Sequence, residues 1–284
     1  MTISKLRIIY TVILIGIVAI MIAVIINDPT DIKLLAKCVV LIIAYIGAII
    51  KLESWRSSFA GRSYELKYQE LIGDAFTNNK RAKKKLIKGI ILYNDGKYDA
   101  AVSRFDDLRK DCVRPVDYAA ILTFRALCFS ERKGYNEAIA TYKELLNYDP
   151  QNSRAWSNLG LNYVNSGRTD LAVDAYRNAI RANDKNAYAR TNFAVLLLDM
   201  DETEEALEQA KAALQVNANL QQAISAACLA CARLGDTKGT QEYLQRYVRA
   251  GGDREALEEM IDLEREALEE MRDMENAEED YEDE

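Results

Sequence analysis

The chain has 284 residues and a net charge of −7, with no histidine, only three prolines and five cysteines. Without histidine there is no Ser-His or Cys-His nucleophile pair, no side chain that titrates near neutrality, and little basis for a zinc site. Residues 253–284 hold 17 acids against three arginines, so residues 1–252 carry +7, and an acidic tail on a mildly basic body argues against nucleic-acid binding.

Ile8 to Ile26 is 19 residues without a charge, dominated by Ile and Val. At about 1.5 Å per residue this would form a helix roughly 28 Å long, near the thickness of a bilayer's hydrocarbon core. A secretory signal would have a shorter apolar core followed by small residues. Here Asn27-Asp28-Pro29-Thr30-Asp31 follows, and then a second apolar stretch from about Leu34 to Leu52, interrupted near its start by Lys37. The pattern predicts a transmembrane helical hairpin over residues 1–52, with spans at 8–26 and 34–52. Lys5 and Arg7 before the first span, and Lys51, Arg56, Arg62 and Lys67 after the second, place both termini in the cytoplasm by the positive-inside rule.

Residues 53–81 read as a helical linker. At its end Lys80, Arg81, Lys83, Lys84 and Lys85 make the densest basic run of the chain. Such a run is a candidate for anionic lipid headgroups, and equally a partner for the acidic tail or a solvated face.

From about residue 82 the chain repeats itself. Residues 153–186 read SRAWSNLGLNYVNSGRTDLAVDAYRNAIRANDKN, with Trp156, Leu159, Gly160 and Tyr163 at positions 4, 7, 8 and 11, and Ala172, Tyr176 and Ala179 at 20, 24 and 27. This resembles the 34-residue tetratricopeptide repeat (TPR). In register, 119–152 offers Ala126, Phe129, Ala138, Tyr142, Leu145 and Pro150, and 187–220 offers Phe193, Ala194, Leu197, Ala206, Ala210 and Ala213. Weaker units lie at 82–115, about three residues out of step, and at 221–254. The resemblance implies a right-handed TPR helical solenoid of about five helix pairs over 82–252. Small residues at positions 8 and 20 would let paired helices approach, with Trp156 and Tyr176 in the core. Leu257, Met260, Ile261, Leu268 and Met271 recur at helical spacing, so 253–284 reads as a capping helix that gives way to a disordered acidic tail after about Glu275.

Positions 2, 6, 9 and 13 of each first helix share one stripe. In 153–186 these are Arg154, Asn158, Leu161 and Asn165; in 187–220 they are Tyr188, Asn192, Val195 and Asp199. The resemblance makes this stripe the inner groove of the superhelix. Asn158 and Asn192 then look like the asparagine ladder by which some TPR proteins hold an extended peptide, since an amide offers both donor and acceptor to a backbone. Arg154 would add a bond to a carboxylate. The ladder has two rungs, because Phe124 and Ala226 stand at the matching positions of the flanking repeats. Solvated amides, or amides bonded within their own helix pair, are the alternative.

Cys228-x-x-Cys231 falls at two packing positions of its repeat. With no second cysteine pair or histidine to complete a zinc site, it reads as structural. No catalytic residue, metal or cofactor is expected. The chain thus reads as a membrane-anchored adaptor of two spans, resembling small bacterial membrane TPR proteins. Its repeats would bind a protein or peptide on the cytoplasmic face of a bacterial plasma membrane. The rival reading is a subunit of a transport or secretion assembly in which the hairpin takes part.

Overall fold

The computed structural model describes residues 63–282 together with Gly16, and side chains as far as Ala267 with that of Glu269. The chain divides into two units, Met1–Lys67 and Tyr68–Glu284. Of the first, residues 63–67 are helical.

The second unit is built from helices, with no strand among the described residues. A single turn, α1 (Gln69–Ile72), precedes five antiparallel pairs. These are α2 (Lys80–Asn94) with α3 (Tyr98–Leu108), α4 (Pro115–Glu131) with α5 (Tyr135–Tyr148), and α6 (Ser153–Asn165) with α7 (Thr169–Ala182). They continue as α8 (Ala187–Asp199) with α9 (Thr203–Val216), and α10 (Gln221–Arg233) with α11 (Thr237–Arg249). A long last helix, α12 (Arg254–Glu282), follows.

The 34-residue register is visible in the backbone. Asn152 and Asn186, one repeat apart, cap α6 and α8 by accepting from the N–H groups of Ala155 and Ala189. Asn186 also donates to the Ser153 hydroxyl at 2.7 Å, which in turn donates to the Ala179 carbonyl at 2.7 Å, tying one pair to the next. The turn inside each pair places a left-handed residue at position 15. Gly96, Gly167 and Gly235 supply it in three pairs, and Lys133 and Asp201 adopt it in the others with φ near 60°.

Positions 8 and 20 are buried in every repeat. Gly160 lets α6 come close to its own partner helix: a Cβ there would lie 2.8 Å from the Tyr176 ring. Tyr176 is core, as its position predicts, whereas Trp156 is only half-buried against the core and donates its indole N–H to the Pro150 carbonyl. The step between the first two repeats is a 3-10 turn at Arg109–Asp111, after which Pro115 opens α4 ahead of the repeat register.

Two expectations need correction. The acidic stretch after Glu275 continues as helix to Glu282, since nothing after Gly252 breaks it and Ala, Glu, Met and Arg are strong helix formers. The placement as a multi-pass protein of a bacterial plasma membrane, with a cytoplasmic repeat domain, is overturned by the helices themselves. Among the described residues no helix is long and apolar enough to cross a membrane, and the longest, α12, carries an acid in nearly every turn. The stretches 8–26 and 34–52 on which that expectation rested lie outside the described residues.

Candidate binding groove

The first helices of successive repeats pack directly on one another, α6 on α8 and α8 on α10. This crowding of first helices is the geometry that bends a stack of pairs and turns their shared stripe inward. Exposure along the stripe is uneven. At position 9, Leu161 and Val195 are 41% and 44% exposed, whereas Ile90 of the first repeat is 0% and Leu229 of the fifth is 7%. Tyr188 at position 2 is 63% exposed, Arg154, Asn165 and Asp199 are also exposed, and the amides of Asn158 and Asn192 are half-buried. The open stripe is a window over α6 and α8.

Both ends of that window are closed by parts of the same chain. At the C-terminal side α12 packs on α10 and buries Leu257 and Ile261. Glu264 of α12 takes Arg233, at position 13 of the fifth repeat, in two bonds of 2.6 and 2.9 Å. At the N-terminal side the segment Tyr68–Phe76 lies along the stripe of the first two repeats. Tyr68 meets Phe124 edge-to-face at 5.2 Å and donates to Asn94 at 2.9 Å. Ile72, Ala75 and Phe76 are buried.

One carboxylate ties this segment down. Asp117, in the first turn of α4, accepts from the N–H of Phe76 at 2.8 Å, from those of Arg114 and Val113 at 3.1 and 3.3 Å, and from the Arg114 guanidinium at 3.0 Å. Burial alone would raise its pKa. The hydrogen bonds outweigh burial and hold the carboxyl below the usual range. Arg114 completes the clasp by donating to the Asp74 carbonyl at 2.6 Å.

The closing segment reaches the window at one point: Glu70 forms an ion pair with Arg154. That pair holds the Glu70 carboxyl below its ordinary value, chiefly through the hydrogen bond. Beneath it is a pocket of about 70 Å³, lined among others by Glu70, Thr123, Tyr142, Asn152, Arg154 and Asn158. The Tyr142 ring is fully buried, with Asn158 and Ser130 beside its hydroxyl.

The structure therefore gathers Arg154, Asn158, Asn165, Tyr188 and Asn192 on one open surface, with Arg154 already engaged. Sequence reading missed Glu70, Asp117 and Tyr142. The basic run opens α2 at the other end of the repeats: Lys80, Arg81 and Lys84 are exposed, Lys83 is half-buried, and Lys85 bonds Asp111 at 2.6 Å. Cys228 and Cys231 are both buried, and Cys228 donates to the Thr240 carbonyl at 3.3 Å. Burial pushes the Cys228 thiol up to about 12 and raises Cys231 as well. Alkylation of the folded chain at pH 8 is therefore expected to label these two thiols at least about a hundredfold more slowly than in urea, because the thiolate is the reactive form. Equal rates in the two conditions would contradict the packing role.

Residues 129–167 match the TPR repeat family model and residues 158–223 match a second tetratricopeptide-repeat model. The described repeats form a TPR solenoid. Photosystem I assembly protein Ycf3 of Synechococcus sp. (strain WH7803) is 26% identical over 131 residues, covering 40% of this chain and 76% of that protein. Among solved structures, MamA aligns with a TM-score of 0.51 at 20% identity, over 57% of this chain and 94% of its own. The thermophilic TPR protein TTC0263 of Thermus thermophilus aligns with a TM-score of 0.50 at 20% identity, over 64% and 98%. At such identity the likeness of the two structures carries the TPR fold alone.

Proposed function

We propose that the TPR solenoid is a non-catalytic interaction scaffold whose window over α6 and α8 holds an extended segment of a partner protein. The observation that carries this reading is the uneven covering of one stripe. Leu161 and Val195 stay open at position 9, where Ile90 of the first repeat and Leu229 of the fifth are buried, and Tyr188 is exposed at position 2 of the fourth. Exposed apolar side chains flanked by half-buried amides suit a strand-like peptide. The apolar groups take its side chains, and Asn158 and Asn192 take its backbone in either polarity. The assembly role in Ycf3's name supports a scaffold that brings proteins together, without extending photosystem I to this chain.

The test is a photo-crosslinking residue placed at Val195, compared with one at Glu208 on α9, with the captured segment sequenced by mass spectrometry. Capture is expected from 195 and not from 208. Each amide bond to a peptide backbone contributes about 1 kcal/mol, so Asn158→Ala with Asn192→Ala should weaken affinity roughly thirtyfold while leaving the helical content unchanged. Equal capture from the two positions would sink the groove reading.

A further inference from the structure

We infer that the chain assembles head to tail, the far half of α12 docking on the α2 ridge of a second copy. Lys80, Lys84 and Lys88 recur every fourth residue and so form one ridge of α2, with Arg81 beside it. All four are exposed, and the three lysines make no ion pair among the described residues; the ion pair of this run goes through Lys85, to Asp111. At the other end of the stack, α12 makes its last described bond to the repeats through Glu264, and beyond it Arg265, Glu266, Ala267 and Glu269 are exposed. The helix nevertheless continues to Glu282, roughly 27 Å further at 1.5 Å per residue. Residues 265–282 carry nine acids against two arginines.

Neither set of charges serves its own helix. Cations in the first turn of α2 and acids in the last turns of α12 both oppose the helix macrodipole. Like charges four residues apart add repulsion: Lys80 on Lys84 and Lys84 on Lys88 in one helix, Glu266 on Glu270, Glu269 on Asp273 and Glu275 on Glu279 in the other. The two surfaces relieve each other when they meet, and one molecule keeps them apart. α12 packs on α10 and α11, and four spacings of first helices separate α10 from α2. At 8–10 Å each these come to roughly 35 Å, beyond the reach of the overhang. Between two copies the dimensions agree. Glu266, Glu269 and Asp273 share one face of α12 over roughly 10 Å, and the ridge from Lys80 to Lys88 covers roughly 12 Å. Every chain carries one surface of each sign, so the contact is heterologous and repeats from copy to copy, in a ring or an open line. Assembly of this kind sets one groove beside the next, whatever each groove holds.

Sedimentation velocity of the full chain tests this. The average mass is expected to rise with concentration at about 0.05 M salt and to fall to that of the monomer at about 0.5 M, because exposed ion pairs are screened. Lys80→Glu combined with Lys84→Glu and Lys88→Glu should weaken association at least about tenfold, since acid then faces acid. Glu266→Lys combined with Glu269→Lys and Asp273→Lys should do the same from the other side. Both reversals agree with the dipole of their own helix, so the melting temperature should hold or rise, and lost association would not reflect a lost fold. An equal mixture of the two variants should recover association to within about threefold of the unsubstituted chain, because each supplies the surface that the other lacks. A chain that stays monomeric at low salt, association that either reversal leaves unchanged, or a mixture that stays monomeric would each overturn the head-to-tail contact. Binding of a polyglutamate peptide to the ridge of a monomeric chain would overturn it as well, and would assign the ridge to a different acidic partner.

Discussion

Replacing Asp117 with alanine is expected to lower the unfolding free energy by about 3 kcal/mol, read by urea denaturation of the full chain. One buried carboxylate satisfies three backbone N–H groups and a guanidinium. Bonds to a charged acceptor contribute about 1.5–3 kcal/mol each, less than additively in a shared network, and the Phe76 N–H would be left buried and unpaired. Asn at 117 keeps one acceptor and loses the charge, so about half the effect is expected. The sign of the pH dependence follows from the depressed pKa. The unfolded chain takes up the proton first, so this contribution is complete above the ordinary carboxylate value of 3.8 and disappears as pH falls through the lower folded value. The unsubstituted chain should lose stability in that acid range, and Asp117→Ala should lack this component. The consequence for the groove is larger than the energy. With Phe76 untethered, Tyr68–Phe76 should lift from the first two repeats, and amide exchange of Leu71 to Phe76 should rise well before that of α6. Unchanged exchange there would show that Asp117 does not hold the segment.

This closing segment also marks the limit of what sequence alone could show. The repeats were legible because the units restate the same demand: small side chains at positions 8 and 20, a turn at 15 and, in all but the fourth, a large side chain at 24. Seven matches in 153–186 were enough to set Gly160 against Tyr176. The stripe carrying Arg154, Asn158, Tyr188 and Asn192 was legible for the same reason, since helical period alone sets it. What was not legible occurs once. Glu70 meets Arg154 across 84 residues and Phe76 meets Asp117 across 41, and no period points from one to the other. Nor did position 15 of the second and fourth repeats carry its usual glycine; Lys133 and Asp201 take the left-handed turn because the helices on either side over-determine it. Asn152 and Asn186 were readable in principle, each standing just before a helix and 34 residues apart. Their cap role was overshadowed by the asparagines inside the helices.

The arrangement of closed ends and open middle follows from the repeat physics. An array must cover the apolar faces of its terminal pairs, and this chain does so with α12 on one side and Tyr68–Phe76 on the other. Both covers run onto the inner stripe, through Glu264 on Arg233 and Tyr68 on Phe124. Solubility of the ends and width of the groove are thus set by the same two segments. A change that loosens either cover should widen the window at a cost in stability.

Tyr176→Ala is expected to cost about 4 kcal/mol, the largest effect of any single truncation in the central repeats. The ring is buried to 1% exposure, it fills the space left by Gly160 within its own pair, and it lies 6.0 Å from the Phe193 ring of the next. Its removal therefore opens a cavity inside the third repeat and strips the interface to the fourth. In a stack held by nearest-neighbour contacts, that loss uncouples the two halves. The urea transition should broaden, with exchange in α6 and α7 rising before exchange in α10 and α11. A sharper test lies in the paired change. In the intact chain Gly160→Ala would drive a methyl to within 2.8 Å of the Tyr176 ring and should destabilise by about 1–3 kcal/mol. In the Tyr176→Ala background the same methyl enters the vacated space, and the alanine also favours the helix by about 1 kcal/mol over glycine. The substitution should then stabilise. A reversal of sign across this cycle is the signature of a glycine kept small for one ring, and a destabilising Gly160→Ala in both backgrounds would refute it.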